Sequence, residues 1–205
     1  MKIRRLRHAL RTFALAAACF SLTPARADLL LPDRTGDAAR PALWRRVWDG
    51  VPKRLRPVRD VRLREVSDAE MDRLAREDPE EARREDEDGS TVEGMFSLEG
   101  DGEATITLRR SLSDRKTVRV FAHELGHVVW ETLLSPEEKR RYAAAYRASK
   151  RAGRLVSEYA EESVEEGFAE SFGFFLRDRD TLRKRDEAAC AALEALSAAS
   201  GKENR

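Results

Sequence analysis

The sequence predicts an α+β domain: a small antiparallel or mixed sheet with one helix, followed by a mainly helical half. Two observations predict it. Val58–Val66 (VRDVRLREV) alternates apolar and polar residues as a half-buried strand does, and Thr91–Leu98 and Ala104–Leu108 (ATITL) read as two further strands. From about Ser113 the pattern turns helical and stays so to the C-terminus. Strands first and helices afterwards is the order of an α+β fold. There is no internal repeat.

The elements follow in order. Residues 1–27 read as a signal peptide: Lys2, Arg4, Arg5, Arg7 and Arg11 precede the apolar run TFALAAACFSL, and Ala25-Arg26-Ala27 offers a small-x-small cleavage site. Cleavage after Ala27 makes the protein secreted or periplasmic. A lipoprotein anchored at Cys19 is the minor alternative, because Ala16–Ala18 lacks the usual Leu of a lipobox. Residues 28–42 would form a leader, ordered by contact or flexible, to a single domain over 43–205. Ser67-Asp68-Ala69-Glu70 has the form of a capping box opening a helix over 68–76. Glu77–Asp88 is a dense mixed-charge run expected to be solvated, and Glu-Gly-Asp-Gly at 99–102 is the turn between the last two strands. One helix is expected over 117–134. Ser135-Pro136-Glu137-Glu138 starts another, with Ser as N-cap and Pro at the first position, running to about Arg151 and stopping at Gly153. The last helices are placed at about 164–176 and 179–199.

Composition narrows the function classes. The 205 residues hold 39 Lys and Arg and 38 Asp and Glu, and six of the basic residues lie in 1–27. The mature chain of 178 residues therefore carries 33 basic and 38 acidic side chains, a net charge of −5. That excludes a general attraction to nucleic acid or to anionic membrane. No later apolar run is long enough to span a bilayer. Only Cys190 survives signal cleavage, so no internal disulfide and no cysteine-rich zinc module can form; its Ala-rich surroundings suggest a buried small residue.

The chemistry lies in His123-Glu124-Leu125-Gly126-His127, an H-E-x-x-H motif. On a helix, positions i and i+4 share a face, so both imidazoles reach one ion, and the intervening glutamate can act on its water. Both histidines of the mature chain are in this motif. Two neutral imidazoles and one carboxylate would leave zinc an open position, which implies one Zn2+ per chain. Gly126, costly by about 1 kcal/mol in mid-helix, hints at close approach by another segment. The third ligand must be a carboxylate, since no histidine follows. Glu158, Glu161, Glu162, Glu165, Glu166 and Glu170 are available, and Glu166 and Glu170 share a helical face. One would ligate and the other would orient a histidine. Against Glu166, Ser163-Val164-Glu165-Glu166 also fits a capping box. Spacing alone leaves the choice between them open.

With HELGH at 123–127 and YAEESVEEGFAE at 159–170, the chain resembles the anthrax lethal-factor family of zinc peptidases, which includes small secreted Pro-Pro endopeptidases. That family pairs H-E-x-x-H with a later Tyr and, seven residues on, a ligand Glu opening an E-x-F-A-E segment. The resemblance implies that Glu166 is the third zinc ligand. It also implies that Tyr159 faces the metal and bonds the oxyanion or leaving group, and that Glu170 is a carboxylate behind a histidine. It implies a zincin-like metallopeptidase domain whose edge strand holds the substrate, for which Gly94, Met95 and Phe96 are the candidates. Pro-Pro preference does not carry over, because the family's specificity residues are not identifiable here.

The function expected is therefore a secreted zinc endopeptidase, with Glu124 as general base and a peptide or protein as substrate. Two rivals share the motif: a catalytically silent zinc-containing binding protein, and an effector or toxin peptidase delivered by a partner. Oligomeric state is not readable from the sequence.

Overall fold

The computed structural model describes residues 27–32, 39–77, 91–98 and 103–198. Apart from Ala27, the expected signal peptide lies outside these, as do most of the mixed-charge run, the 99–102 turn and the last seven residues.

Four strands form one mixed sheet in the order β1-β2-β4-β3: β1 (Leu29–Leu30), β2 (Val61–Val66), β3 (Gly94–Leu98) and β4 (Ala104–Arg109). β1 pairs parallel with β2 and β2 with β4, while β3 pairs antiparallel with β4, Phe96 opposite Ile106. The 28–42 stretch expected to lead into the domain thus supplies the first strand, and Leu29 is in the core. It also supplies the first turn of helix α1 (Arg40–Gly50), which has Pro41 in its first turn and buries Trp44, Val47 and Trp48. No helix was expected there, because two tryptophans and a valine among arginines give only a short apolar stripe.

Both faces of the sheet are covered. Helix α2 (Asp68–Glu77) puts Met71 and Ala75 against Val66, Val92 and Met95 on one face. The other face belongs to the main core, where Leu63, Ile106 and Leu108 meet Trp44, Phe121 and Leu125. β4 is consequently buried at all six positions, although its sequence (ATITLR) alternates apolar and polar residues as a half-buried strand does.

The helical half is α3 (Asp114–Thr132), α4 (Pro136–Arg151), α5 (Val164–Arg177), α6 (Arg179–Arg185) and α7 (Glu187–Ala198). The capping box predicted for α4 forms in full: the Ser135 side chain accepts from the Glu138 N–H, and the Glu138 carboxylate accepts from Ser135 N–H at 2.9 Å. Gly153, at φ +61°, lies two residues past the end of α4. The final helix, expected as one piece, is broken at Asp186, whose buried carboxylate accepts from the Ala189 N–H and the Ser149 hydroxyl.

α3 and α5 carry the site, and their approach is set by glycine. A Cβ at Gly126 would lie 2.7 Å from Ala169 Cα, so the helices cross closer than any side chain there would allow. Gly173 of α5 lies beside Ala122 and His123. The two helices therefore run antiparallel, with α5 descending as α3 ascends. Among the described residues, no helix is long and apolar enough to cross a membrane.

Candidate metal centre

His123 and His127 stand one turn apart on the face of α3 that meets α5. The packing of Phe121, Leu125, Val128 and Val129 into the core fixes this orientation. The first turn of α5 brings Glu166 across to them. Ser163 caps α5, its hydroxyl accepting from the Glu166 N–H at 3.0 Å, so half of the capping box seen in the sequence forms. The Glu166 carboxylate, however, turns to the histidines instead of closing that box.

Three donor atoms converge as a result. His123 Nε2 lies 3.1 Å from His127 Nε2 and 3.2 Å from Glu166 Oε2, and His127 Nε2 lies 3.4 Å from the same oxygen. These three residues form a group that could hold a metal ion. The dimensions suit one: bonds of about 2.0–2.1 Å to a tetrahedral ion separate the ligand atoms by about 3.3–3.4 Å.

Glu170, one turn along α5, contacts the other ring nitrogen of His123, Oε1 to Nδ1 at 3.0 Å, and its Oε2 accepts from Ser157 Oγ at 2.8 Å. A proton held on Nδ1 by this carboxylate leaves the Nε2 lone pair directed at the triangle. Of the two candidate carboxylates, Glu166 contacts both Nε2 atoms, whereas Glu170 stands behind one ring. Glu158, Glu161, Glu162 and Glu165 are exposed.

Charge within the cluster is strongly coupled. Burial opposes a charge on His123, but the Glu166 and Glu170 carboxylates outweigh it and raise the pKa of the ring to about 10. Burial likewise opposes ionisation of Glu166 and Glu170, yet the histidines hold Glu166 far below the ordinary carboxylate range and His123 holds Glu170 below it. Such a site accommodates a cation.

Glu124 is buried beside the histidines and lies against β3. A Cβ at Gly94 would come within 2.9 Å of Glu124 Oε1 and 2.4 Å of Val120 Cγ1. Gly94 therefore lets the strand backbone ride directly over the carboxylate. Phe96, two residues on and on the same face, stacks parallel to the His127 ring at 6.4 Å. Met95 turns to the α2 side of the sheet, so of the three strand candidates it alone directs its side chain away from the histidines. Tyr159, 40 % exposed, lies on the 3₁₀ turn Tyr159–Glu161 with its ring 5.5 Å from that of His123. That turn is held by Lys150 Nζ and Tyr146 Oη, both donating to Glu161 O.

Two contributors were not foreseen. Ser157 joins Glu170 to the tyrosine turn, its hydroxyl also accepting from the Ala160 N–H at 3.2 Å. Tyr142 Oη donates to Gly167 O at 2.7 Å, next to the Glu166 carboxylate's own backbone. Ser157 follows the pattern of a turn-capping serine, readable in retrospect, whereas Tyr142 reads only as part of an apolar stripe. No protein-family model and no curated protein matches the chain.

Proposed function

We propose that this protein is a zinc-dependent endopeptidase built on a zincin-like arrangement, with His123, His127 and Glu166 as ligands. The observation that carries the reading is the triangle of His123 Nε2, His127 Nε2 and Glu166 Oε2 with Glu124 beside it. Two imidazoles and a carboxylate suit zinc by ligand type and leave a position for substrate. Bound there, zinc would supply Lewis acidity, polarising a peptide carbonyl and acidifying the attacking water.

The chain's own groups do the rest. Glu124 takes the proton from the attacking water and later passes it to the departing amine. Gly94 above and Val120 alongside limit the carboxylate's motion. The Tyr159 phenol, on the open side of His123, donates a hydrogen bond to the oxygen on which charge develops. β3 lies at the sheet edge among the described residues, and an extended peptide adds to such an edge by main-chain hydrogen bonds. A secreted or periplasmic location fits the signal-like residues 1–27.

The test is cleavage of a random peptide library with zinc content measured alongside. Glu124→Gln should keep its zinc and lose about 10²–10⁴-fold in kcat, and Glu166→Ala should lose the zinc. A Glu124→Gln protein as fast as the unaltered one would end the proposal.

A further inference from the structure

The antiparallel packing of α3 and α5 has a consequence at one end of the site. Gly126 meets Ala169, and one turn earlier Ala122 and His123 meet Gly173. One more turn in the same direction sets Arg119 beside Arg177, and Arg115 lies a turn further along α3. Arg119 and Lys116 both donate to the single carboxylate of Glu93, at 2.6 and 2.5 Å, just before β3. Arg177 donates through Nε to Gly173 O and lies over the Phe174 ring at 5.2 Å. The charged groups facing Arg177 are Glu170 of its own helix, Asp178 just past that helix's end, and Arg119 and Arg115 of α3. Glu170 is engaged with His123 and Ser157, and Asp114 faces Arg40. Four cations, Arg115, Lys116, Arg119 and Arg177, thus gather at this end with Glu93, Asp178 and the already engaged Glu170 as local counter-charges. Arg115, Lys116 and Arg119 are exposed.

This cluster lies beyond the His123 end of the site, where α3 meets the residue before β3 on one side and the end of α5 on the other. β3 runs the same way as α3, since Gly94 lies over Val120 and Glu124 and Phe96 lies by His127. A peptide paired antiparallel to β3, the more stable pairing, would run from the Phe96 end towards Glu93 and Arg119. One helical turn is about 5.4 Å, or about two residues of extended chain.

We infer that this basic cluster selects peptides carrying an acidic side chain two to four residues beyond the cleaved bond on its C-terminal side. The inference rests on the peptidase reading for the position of that bond, but the charge preference itself is read by binding. An aspartate or glutamate there meets Arg115 and Arg177, whose forked guanidinium groups receive a carboxylate with two parallel bonds.

Fluorescent decapeptide pools with Glu, Gln or Lys fixed at each position in turn would be titrated onto zinc-loaded Glu124→Gln protein at low and high salt. Glu pools are expected to bind about tenfold more tightly than Gln pools at low salt, with the advantage shrinking as salt screens it. The double variant Arg115→Gln/Arg177→Gln should abolish the advantage while keeping its zinc. Equal binding of the three pools, or a preference that survives in the double variant, overturns the inference. Mapping the bonds that unaltered protein cuts separates the two readings. Selective binding with no cleavage defeats the peptidase and leaves the cluster's role standing. Cleavage with no acidic residue enriched beyond the bond keeps the peptidase and removes the inference.

Discussion

His123 has both ring nitrogens committed: Nε2 to the triangle with His127 and Glu166, and Nδ1 to Glu170. Removing charge from Glu170 would therefore act on a metal held by the triangle without touching it. The Glu170→Gln amide still accepts from Nδ1–H through its oxygen, but no longer strengthens the basicity of Nε2. Such partners are worth about 10–100-fold in metal affinity. Zinc retention by Glu170→Gln in a chelator titration should fall by that factor, whereas Glu166→Ala should fail to retain it at all. Equal losses in the two would mean that Glu170 ligates directly. The sequence brought both carboxylates into view but left their order to the resemblance. Their order depends on where the first turn of α5 lies relative to α3, a distance between helices that no local pattern encodes. The one-sided cap at Ser163 shows why the capping reading competed: its backbone half is real, and only the carboxylate's destination differs.

Elements were legible where one local signal dominated. The α4 start is written in four consecutive residues, and β2 in the alternation of Val61-Arg62-Leu63-Arg64. α1 escaped notice because its buried stripe is short, whereas the alternation of β4 announced a strand but not that both of its faces are covered. Gly126 lies between these cases. Its position in mid-helix announced a close neighbour, but only the fold identifies Ala169 as that neighbour. Two substitutions separate propensity from packing. Gly→Ala inside a helix gains about 1 kcal/mol where space permits. At Gly173 the new methyl would meet its nearest atom at 3.5 Å, an ordinary contact, so Gly173→Ala should be neutral or raise the melting temperature. At Gly126 the methyl would collide with the Ala169 backbone at 2.7 Å, and overpacking of this kind costs about 1–3 kcal/mol. Gly126→Ala should therefore melt lower and, because the helices must separate, bind zinc more weakly. A Gly126→Ala protein that matched Gly173→Ala in both measurements would show that the α3–α5 spacing does not set the site.

The two halves of the molecule share the apolar core and are also joined by a polar tie. Arg54, on the short turn Lys53–Leu55 between α1 and β2, donates to Glu138 Oε1 at 2.8 Å, and the other oxygen of Glu138 closes the cap of α4. One carboxylate thus fixes the start of a helix and fastens it to the sheet-bearing half. α4 in turn holds the tyrosine turn through Tyr146 and Lys150, and holds α5 through Tyr142. Burial opposes the charge on Glu138, but the Ser135 N–H and hydroxyl and the Arg54 guanidinium outweigh it, and its pKa is lowered from 4.5. A carboxyl depressed in the folded state contributes stability that is fully present above its unfolded value. That contribution is lost as pH falls through the folded one. Glu138→Gln should therefore melt below the unaltered protein at pH 7, by an amount equivalent to about 1–3 kcal/mol for a hydrogen-bonded charge. The two melting curves should draw together as the solution is acidified below 4.5, where the carboxyl itself becomes neutral. Scanning calorimetry across that range reads the gap directly. A gap that stayed constant into acid would mean that Glu138 acts by shape alone, and the charge-assisted tie between the halves would have to be abandoned.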